Sequence, residues 1–550
     1  MGKRRKVAVI DSETDPFRPG RFPQPFIWGF YDGETYEEFR DVIELVAFLE
    51  TQHLIVYAHN GGKFDYHFML DFVEPGEDIM VINGRIAKFK IGSCEFRDSF
   101  NILPVALSAY KKDDIDYAIM EPGERDKPEN AKRISSYLYG DCVYLYDFIT
   151  KFIERYGIHI TQASAAMKQW SKISGQKPPH DVGGDLYETL RPYYYGGRCQ
   201  AFEFGEVKEP LASADINSAY PYAMLYRHPI SVYPMFGSEK EWRGLDHETQ
   251  GASFLRVHGK SGGALPYRGP DGSLYFPADD RVRTFHVTGW EFMAAVETGA
   301  FDGEIEEAIF FDELTDFSDY INAFYEEKVR AKETGDTAGY WFAKLFMNSL
   351  YGKFGANPEE YKNYKVADYW MLDEKGQADE WTFAGEWGEQ CLISKPQDDE
   401  ARRYYNIATA ASITGFVRAM LWQAITRCRG AVYCDTDSIA ARDVSGLPYG
   451  DKLGEWELEG RYDYAAIGGR KLYAMRRIEP DPKKDGDAAW WKIACKGVKL
   501  TPQQIARVAR GEVVTYEPMA PVYSVHTAPR FINRAVSMTR KTLADVESQA

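Results

Sequence analysis

Two pairs of acids mark the chemistry this sequence can do. Asp435 and Asp437 stand two residues apart in AVYCDTDSIA, at the end of an apolar, β-branched run, and Asp11 and Glu13 have the same spacing in KVAVIDSETDPF. In an extended strand, residues i and i+2 project from one face, so each pair is expected to reach a single metal site. Asp-Thr-Asp-Ser also reads as turn chemistry, and such a pair alone would be an ordinary solvated hairpin tip. Further acids, lysines and tyrosines in ordered clusters give the pairs their weight.

Within the first 160 residues, Asp65 follows Asn60 in HNGGKFD, and Asp141 lies four residues after Tyr137, on the same helical face. Four carboxylates from three separated elements can hold two divalent ions about 3.5–4 Å apart, an arrangement that hydrolyses phosphodiesters. Tyr137 is placed to orient the attacking water. A second constellation begins at Asp215 in SADINSAYPYAML. A strand carrying this acid beside the DTDS segment would complete a two-metal site for nucleotidyl transfer, and Mg²⁺ suits its oxygen ligands. Tyr220 is expected under the sugar, excluding a ribose 2′-hydroxyl. In WFAKLFMNSLYGKFG, Lys344, Asn348 and Tyr351 fall at i, i+4 and i+7 and share one helical face. Lys344 suits phosphate oxygens, Asn348 the sugar and Tyr351 the base pair, while Phe342, Leu345 and Phe346 anchor the helix. Lys332 adds a second phosphate contact.

The elements that must position these residues are legible in outline. KVAVI and LIVYA read as buried strands, and RISSYLYGDCVYLYDFITKFIERY as a helix stopped by Gly157, which suggests an α/β nuclease-like domain. Residues 160–195 read as a Gly/Pro-containing connector, 227–320 as a mixed aromatic region, 317–354 as strongly helical, 361–394 as hairpin strands and 406–428 as another helix. The 550 residues are 44% hydrophobic and 15% aromatic, which excludes disorder and implies several domains or lobes. No apolar run approaches the roughly 18 residues of a membrane span. MGKRRK lacks both a following hydrophobic stretch and the Ser/Thr of a myristoylation site, so it reads as a solvated basic tip. Seven dispersed cysteines fit a reducing, cytoplasmic setting without a zinc site. The net charge of −17 excludes a simple basic nucleic-acid binder but not an acidic enzyme with a basic channel.

With these residues in view, the chain resembles a known family. DINSAYP, KLFMNSLYG and YCDTDS resemble motifs A, B and C of family B DNA polymerases. Upstream, the DxE, NxxxFD and YxxxD clusters resemble the 3′–5′ proofreading exonuclease of DnaQ-like nucleases. The resemblance implies an RNase H-like exonuclease domain joined to a right-hand polymerase of palm, fingers and thumb, α/β and α+β in class. It makes Asp215 and Asp437 the principal polymerase metal ligands with Asp435 assisting, and Asp11, Glu13, Asp65 and Asp141 the exonuclease ligands. Two Mg²⁺ ions per site are implied, with Mn²⁺ as an alternative. Thr14, Asn60, Phe64 and Ser99 would contact the primer end, although Phe100 stands where the pattern usually has Leu, and Lys112 would assist hydrolysis. Lys471 and Tyr473 match the KxY motif that contacts the primer terminus. Tyr194, Gly196 and Gly197 match the YxGG/A motif that coordinates synthesis with proofreading.

Tyr220 and Lys344 are 124 positions apart, and Tyr351 and Asp435 are 84 apart, both too far for direct connections. This resembles the protein-primed polymerases of phages and linear plasmids, which carry two insertions there. The implied organisation is an exonuclease over 1–190, palm over 191–226 and 404–500, a terminal-protein insertion over 227–320, fingers over 321–356, a DNA-encircling hairpin over 357–403 and a thumb over 501–550. The implied partners are template and primer DNA, dNTPs and a terminal protein, with no membrane, and the chain is expected to be a monomer. Two alternatives remain: a related polymerase that extends nucleic-acid primers or needs none, and a non-catalytic DNA-binding homologue, which the complete acid set disfavours.

Overall fold

Strand parity decides where the acids of the first region point. In the computed structural model, which describes residues 5–177, 185–357, 361–397, 405–540 and 542–548, KVAVIDSET forms a strand, Lys6–Thr14. It pairs parallel with the wholly buried strand Leu54–Ala58 and antiparallel with Pro25–Tyr31. Ala8 and Ile10 pack into one core with the helix Val42–Glu50, whereas Val9 packs into another with the long helix Pro128–Tyr156. Asp11 and Glu13 share the parity of Val9, so they face the long helix, where Tyr137 and Asp141 wait. Gly157, at φ 87°, ends that helix as expected.

The second constellation sits on a different sheet. Seven strands run in the order Trp491–Cys495, Leu472–Arg477, Trp456–Gly469, Leu211–Ile216, Ser438–Asp443, Arg429–Asp435, Cys199–Ala201, and Gly205–Val207 also pairs with Trp456–Gly469. The helix Ile407–Arg427 covers one face and is apolar nearly all round, the pattern of a helix enclosed by protein. Ala212, Ala214 and Ile216 turn toward that covered core. Asp215 therefore turns to the open face.

Residues 227–320 build their own four-stranded sheet from Met235–Gly237, Phe301–Phe310, Phe254–Ser261 and Val282–Thr288. The helical stretch that follows is two helices, Ser318–Thr334 and Thr337–Phe354, separated where Gly335 takes φ 71° and Asp336 caps the second. Within 160–195, read above as connector, lies a 13-residue helix, Gln162–Ser174, capped by Thr161 and stopped by Gly175. Its Trp170 is fully buried against Phe317 and Phe354, so tertiary packing overrides the loop-like composition. The Gly/Pro-rich residues 178–184, the start of the basic tip, and residues 358–360 and 398–404 lie outside the described residues.

Residues 361–397 do not stand apart as a hairpin. Their strands Lys362–Ala367, Gln390–Pro396, Trp381–Trp387 and Gln377–Ala378 extend the sheet of Lys6–Thr14 through Tyr364↔Ile79 and Lys365↔Asp78, giving eleven strands in all. The C-terminal hairpin Val522–Ser524/Thr527–Arg530 closes on the same strands: His526 bonds the Ala384 carbonyl at 2.8 Å, and the Ala528 N–H donates to Glu386 at 3.1 Å. Among the described residues no helix is long and apolar enough to cross a membrane.

Trp387 joins these strands to the core around Ala8, Ile10 and Val56; it is fully buried and donates its indole N–H to the Leu70 carbonyl at 3.1 Å. Trp387→Ala should destabilise this region by about 3–5 kcal/mol. Protease cutting within 361–397 should then precede global unfolding. Unchanged cutting in the variant would show that the strands are held some other way.

Candidate active sites

Between the strand Lys6–Thr14 and the long helix, ligand oxygens of Asp11, Glu13 and Asp141 all lie within 4.8 Å of one another. Asp65 begins a 3₁₀ turn, Asp65–Phe68, and accepts a 2.5 Å hydrogen bond from Ser12. Burial, reinforced by Asp141, Asp65 and Glu13, holds the Asp11 carboxyl well above its ordinary range. Burial together with Asp141 pushes Glu13 up to about 8. Burial, with a smaller push from the Asp98 charge, takes Asp65 to about 6 against the Ser12 hydrogen bond. Asp141 is raised by burial despite the nearby Lys112. One oxygen of Asp141, Oδ1, is buried without a hydrogen-bond partner. Converging carboxylates with an unsatisfied oxygen are what a divalent-cation site requires.

Lys112 comes 3.7 Å from Asp141 and lies over the Tyr137 ring, and the Tyr137 hydroxyl meets that of Tyr117 at 3.2 Å. Asn60 takes the left-handed conformation at φ 64° and accepts a 2.6 Å bond from Arg85. Phe64 packs edge-on against Phe17, Phe68 and Tyr523, the last from the C-terminal hairpin. Thr14 is buried, its hydroxyl on the Asp15 carbonyl. Ser99 is fully buried and bonds the Ala58 carbonyl and the His59 ring.

In the second sheet, Asp215 pairs with Ser438, which also pairs with Asp435 across the hairpin. The expectation that Asp435 and Asp437 occupy one extended strand is overturned. The strand ends at Asp435, and Thr436 takes φ 63°, so the acids flank a tight turn. The Thr436 N–H donates to the Arg198 carbonyl at 2.6 Å, and the Asp437 carbonyl accepts from Ile216 at 2.8 Å, which pins the turn against the Asp215 strand. Burial, with the charges of Asp437 and Glu459, pushes Asp215 up to about 7, and burial takes Asp437 to about 6. Lys471, itself at φ 53°, reaches Asp435 at 3.0 Å, and the Tyr473 ring packs on Tyr433. These groups line a cleft of about 990 Å³.

The helix Thr337–Phe354 carries Lys344, Asn348 and Tyr351, with Phe342 and Phe346 fully buried. Tyr351 stacks on Tyr220 with centroids 4.3 Å apart and an interplanar angle of 11°. Asn348 donates to the Lys344 carbonyl at 2.8 Å. Lys332 stands in the last turn of the neighbouring helix. The Tyr194 hydroxyl lies beside Gly355, and a Cβ on Gly197 would come within 2.8 Å of Thr436, so that linker position needs glycine.

Several participants escaped sequence reasoning. Burial and the nearby Lys344 and Lys332 depress Lys328, which places it in the same basic cluster. Helical spacing from Lys332 could have found it. Glu457 and Glu459 border the cleft beside Asp215, and Lys492 pairs with Glu459; they arrive from strands with no motif of their own.

A family model for DNA polymerase type B, organellar and viral, matches residues 108–382. The chain is 35% identical to the DNA-directed DNA polymerase of Enterobacteria phage PRD1 over 97% of its own length and 98% of that protein. It is 28% identical to the DNA polymerase of Streptococcus phage Cp-1, covering 82% and 80% of the two chains. The orthorhombic crystal form of Phi29 DNA polymerase superposes with a TM-score of 0.72 at 18% identity, covering 97% of this chain and 100% of that one. That fold comprises the exonuclease, palm, fingers and thumb of the right-hand polymerases. The chain thus belongs to the type B DNA polymerases of the organellar and viral kind, and is a DNA-directed DNA polymerase.

Proposed function

We propose that this polymerase initiates replication on a terminal protein, elongates processively with strand displacement, and removes misincorporated nucleotides through a separate 3′–5′ exonuclease. The reading is carried by one observation: two buried or half-buried carboxylate sets, Asp11–Glu13–Asp141 with Asp65, and Asp215–Asp437, gather at different sheets of one chain. Two divalent ions at each site, Mg²⁺ or Mn²⁺, would be held by these carboxylates and would supply Lewis acidity for phosphoryl chemistry.

The chain's own residues do the rest. Asp215 and Asp437 hold the ions of synthesis, and Lys471 balances Asp435 beside the primer terminus. Lys344, Lys332 and Lys328 receive the triphosphate, Asn348 meets the sugar, and the Tyr220–Tyr351 stack closes the space that a ribose 2′-hydroxyl would need. In the nuclease, Tyr137 orients water toward the scissile phosphate with Lys112 beside it, while Asn60 and Phe64 receive the frayed end. The separate sheet of residues 227–320 supports its role as a terminal-protein platform, and the contact of the C-terminal hairpin with residues 384–386 supports a closed path around DNA. Phi29 DNA polymerase has been crystallised with primer-template DNA and incoming nucleotide, and with single-stranded DNA; we assign the same ligands to the two sites here.

Asp437→Ala should lower primed synthesis about a hundredfold or more while leaving degradation of free single strands intact. Asp11→Ala should do the reverse. Parallel loss of both activities in either variant would argue for one shared site.

The raised carboxyls also fix a pH dependence. A carboxyl whose folded pKa lies above its unfolded value stabilises the metal-free fold below about pH 4, and that contribution is lost as pH rises through the folded values of about 6 to 8. The metal-free protein should melt lower at pH 8 than at pH 6, and Mg²⁺ should restore stability most at pH 8, releasing protons when it binds near pH 7. Mg²⁺ binding without proton release, measured by calorimetry in two buffers, would contradict this.

A further inference from the structure

We infer that Glu291, acting through Arg418, is a positioning residue for nucleotide incorporation, because the two side chains hold the Tyr194–Gly197 linker against the turn that carries Asp435 and Asp437. The inference rests on the assignment of that turn to synthesis.

Arg418 lies on the enclosed helix Ile407–Arg427, and Glu291 lies in the first turn of Gly289–Glu297, a helix of the 227–320 region. Their side chains are 1% and 2% exposed and meet at 2.7 Å. An ion pair this deep is a poor source of stability, since desolvating both charges offsets most of their attraction. It does fix register, and its surroundings show what is registered. Arg418 Nη1 donates to the carbonyls of Tyr195 at 2.7 Å and Gly196 at 3.0 Å. Arg268, also from the 227–320 region, donates to the preceding carbonyl, Tyr194, at 3.1 Å. Three successive carbonyls of the linker are thus held by arginines that belong to this region or are paired with it.

The other end of the chain of contacts is equally defined. Glu291 Oε2 accepts from the Thr288 N–H at 3.0 Å and the Thr288 hydroxyl at 2.9 Å, so Oε1 is left for Arg418 in one fixed direction. Thr288 lies so close to the enclosed helix that a Cβ on Gly415 would overlap it. Beyond the linker, Gly197 touches Thr436, and the Arg198 carbonyl accepts the Thr436 N–H at 2.6 Å. The path from Glu291 to the catalytic turn therefore runs through direct contacts alone. A small displacement of reacting groups costs up to about a hundredfold in rate, so loosening the linker should slow synthesis.

Glu291→Gln keeps the shape without the charge, and Arg418→Lys keeps the charge but cannot span Glu291 and both carbonyls. Single-nucleotide incorporation would be measured on primed template with the active fraction fixed by burst titration, in an Asp11→Ala/Asp65→Ala background. Each single variant should incorporate about tenfold more slowly per active site, with little change in KM for the nucleotide, and the double variant should lose no more than Arg418→Lys alone. Unchanged rates per active site, or losses that multiply in the double variant, would overturn the inference. If the buried pair is needed for folding, the exposed Arg268→Ala decides: a two- to threefold slower rate supports the inference, and an unchanged rate overturns it. Failure of the underlying site assignment would show separately, as undiminished synthesis by Asp437→Ala.

Discussion

Carboxylates buried beside one another are unstable as anions unless a cation joins them, and this constraint organises both sites. Each sheet brings several acids to one place and deprives them of water, so their affinity for protons rises. Divalent ions in place of those protons would relieve this repulsion. One oxygen of Asp141 is buried with no hydrogen-bond partner, as an oxygen free to meet a cation would be.

The two sites solve the placement problem differently. In the eleven-stranded sheet, the parity of one strand aims Asp11 and Glu13 at a long helix that supplies Asp141 and Tyr137. In the second sheet, the acids come from a strand and a neighbouring tight turn, and the turn needs outside support because Thr436 is in a left-handed conformation. That support comes from Ile216 on one side and the Arg198 carbonyl on the other. Helix Thr337–Phe354 is fixed through Phe342 and Phe346 to Phe148, Phe152 and Tyr156 of the long helix Pro128–Tyr156, which ties the helix bearing Lys344, Asn348 and Tyr351 to the element that carries Asp141.

What the sequence disclosed was mostly local. Lys344, Asn348 and Tyr351 could be assigned to one face because helical periodicity is written in consecutive residues, and Asp11 and Glu13 because strand parity is too. The family and its fold followed from ordered motifs. Geometry that depends on distant partners was not legible. The Asp435–Asp437 pair was expected along a strand, but antiparallel pairing ends that strand at Asp435. Trp170 turned an apparent connector into a packed helix by meeting residues nearly 150 and more positions away. The junction Tyr364↔Ile79 and the Glu291–Arg418 pair, 127 residues apart, are likewise products of the folded chain alone. The burial of Ser99 and its bond to the Ala58 carbonyl also depend on packing that its motif does not encode.

The central claim is that one chain holds two independent sites at which carboxylates gather divalent ions. Anomalous diffraction from crystals grown with Mn²⁺, primed template and a non-incorporable nucleotide tests it most directly. The account predicts manganese peaks between Asp215 and Asp437, and separate peaks among Asp11, Glu13, Asp65 and Asp141. Manganese confined to one set, or bound instead at Glu457 and Glu459 with Asp215 and Asp437 bare, would contradict it.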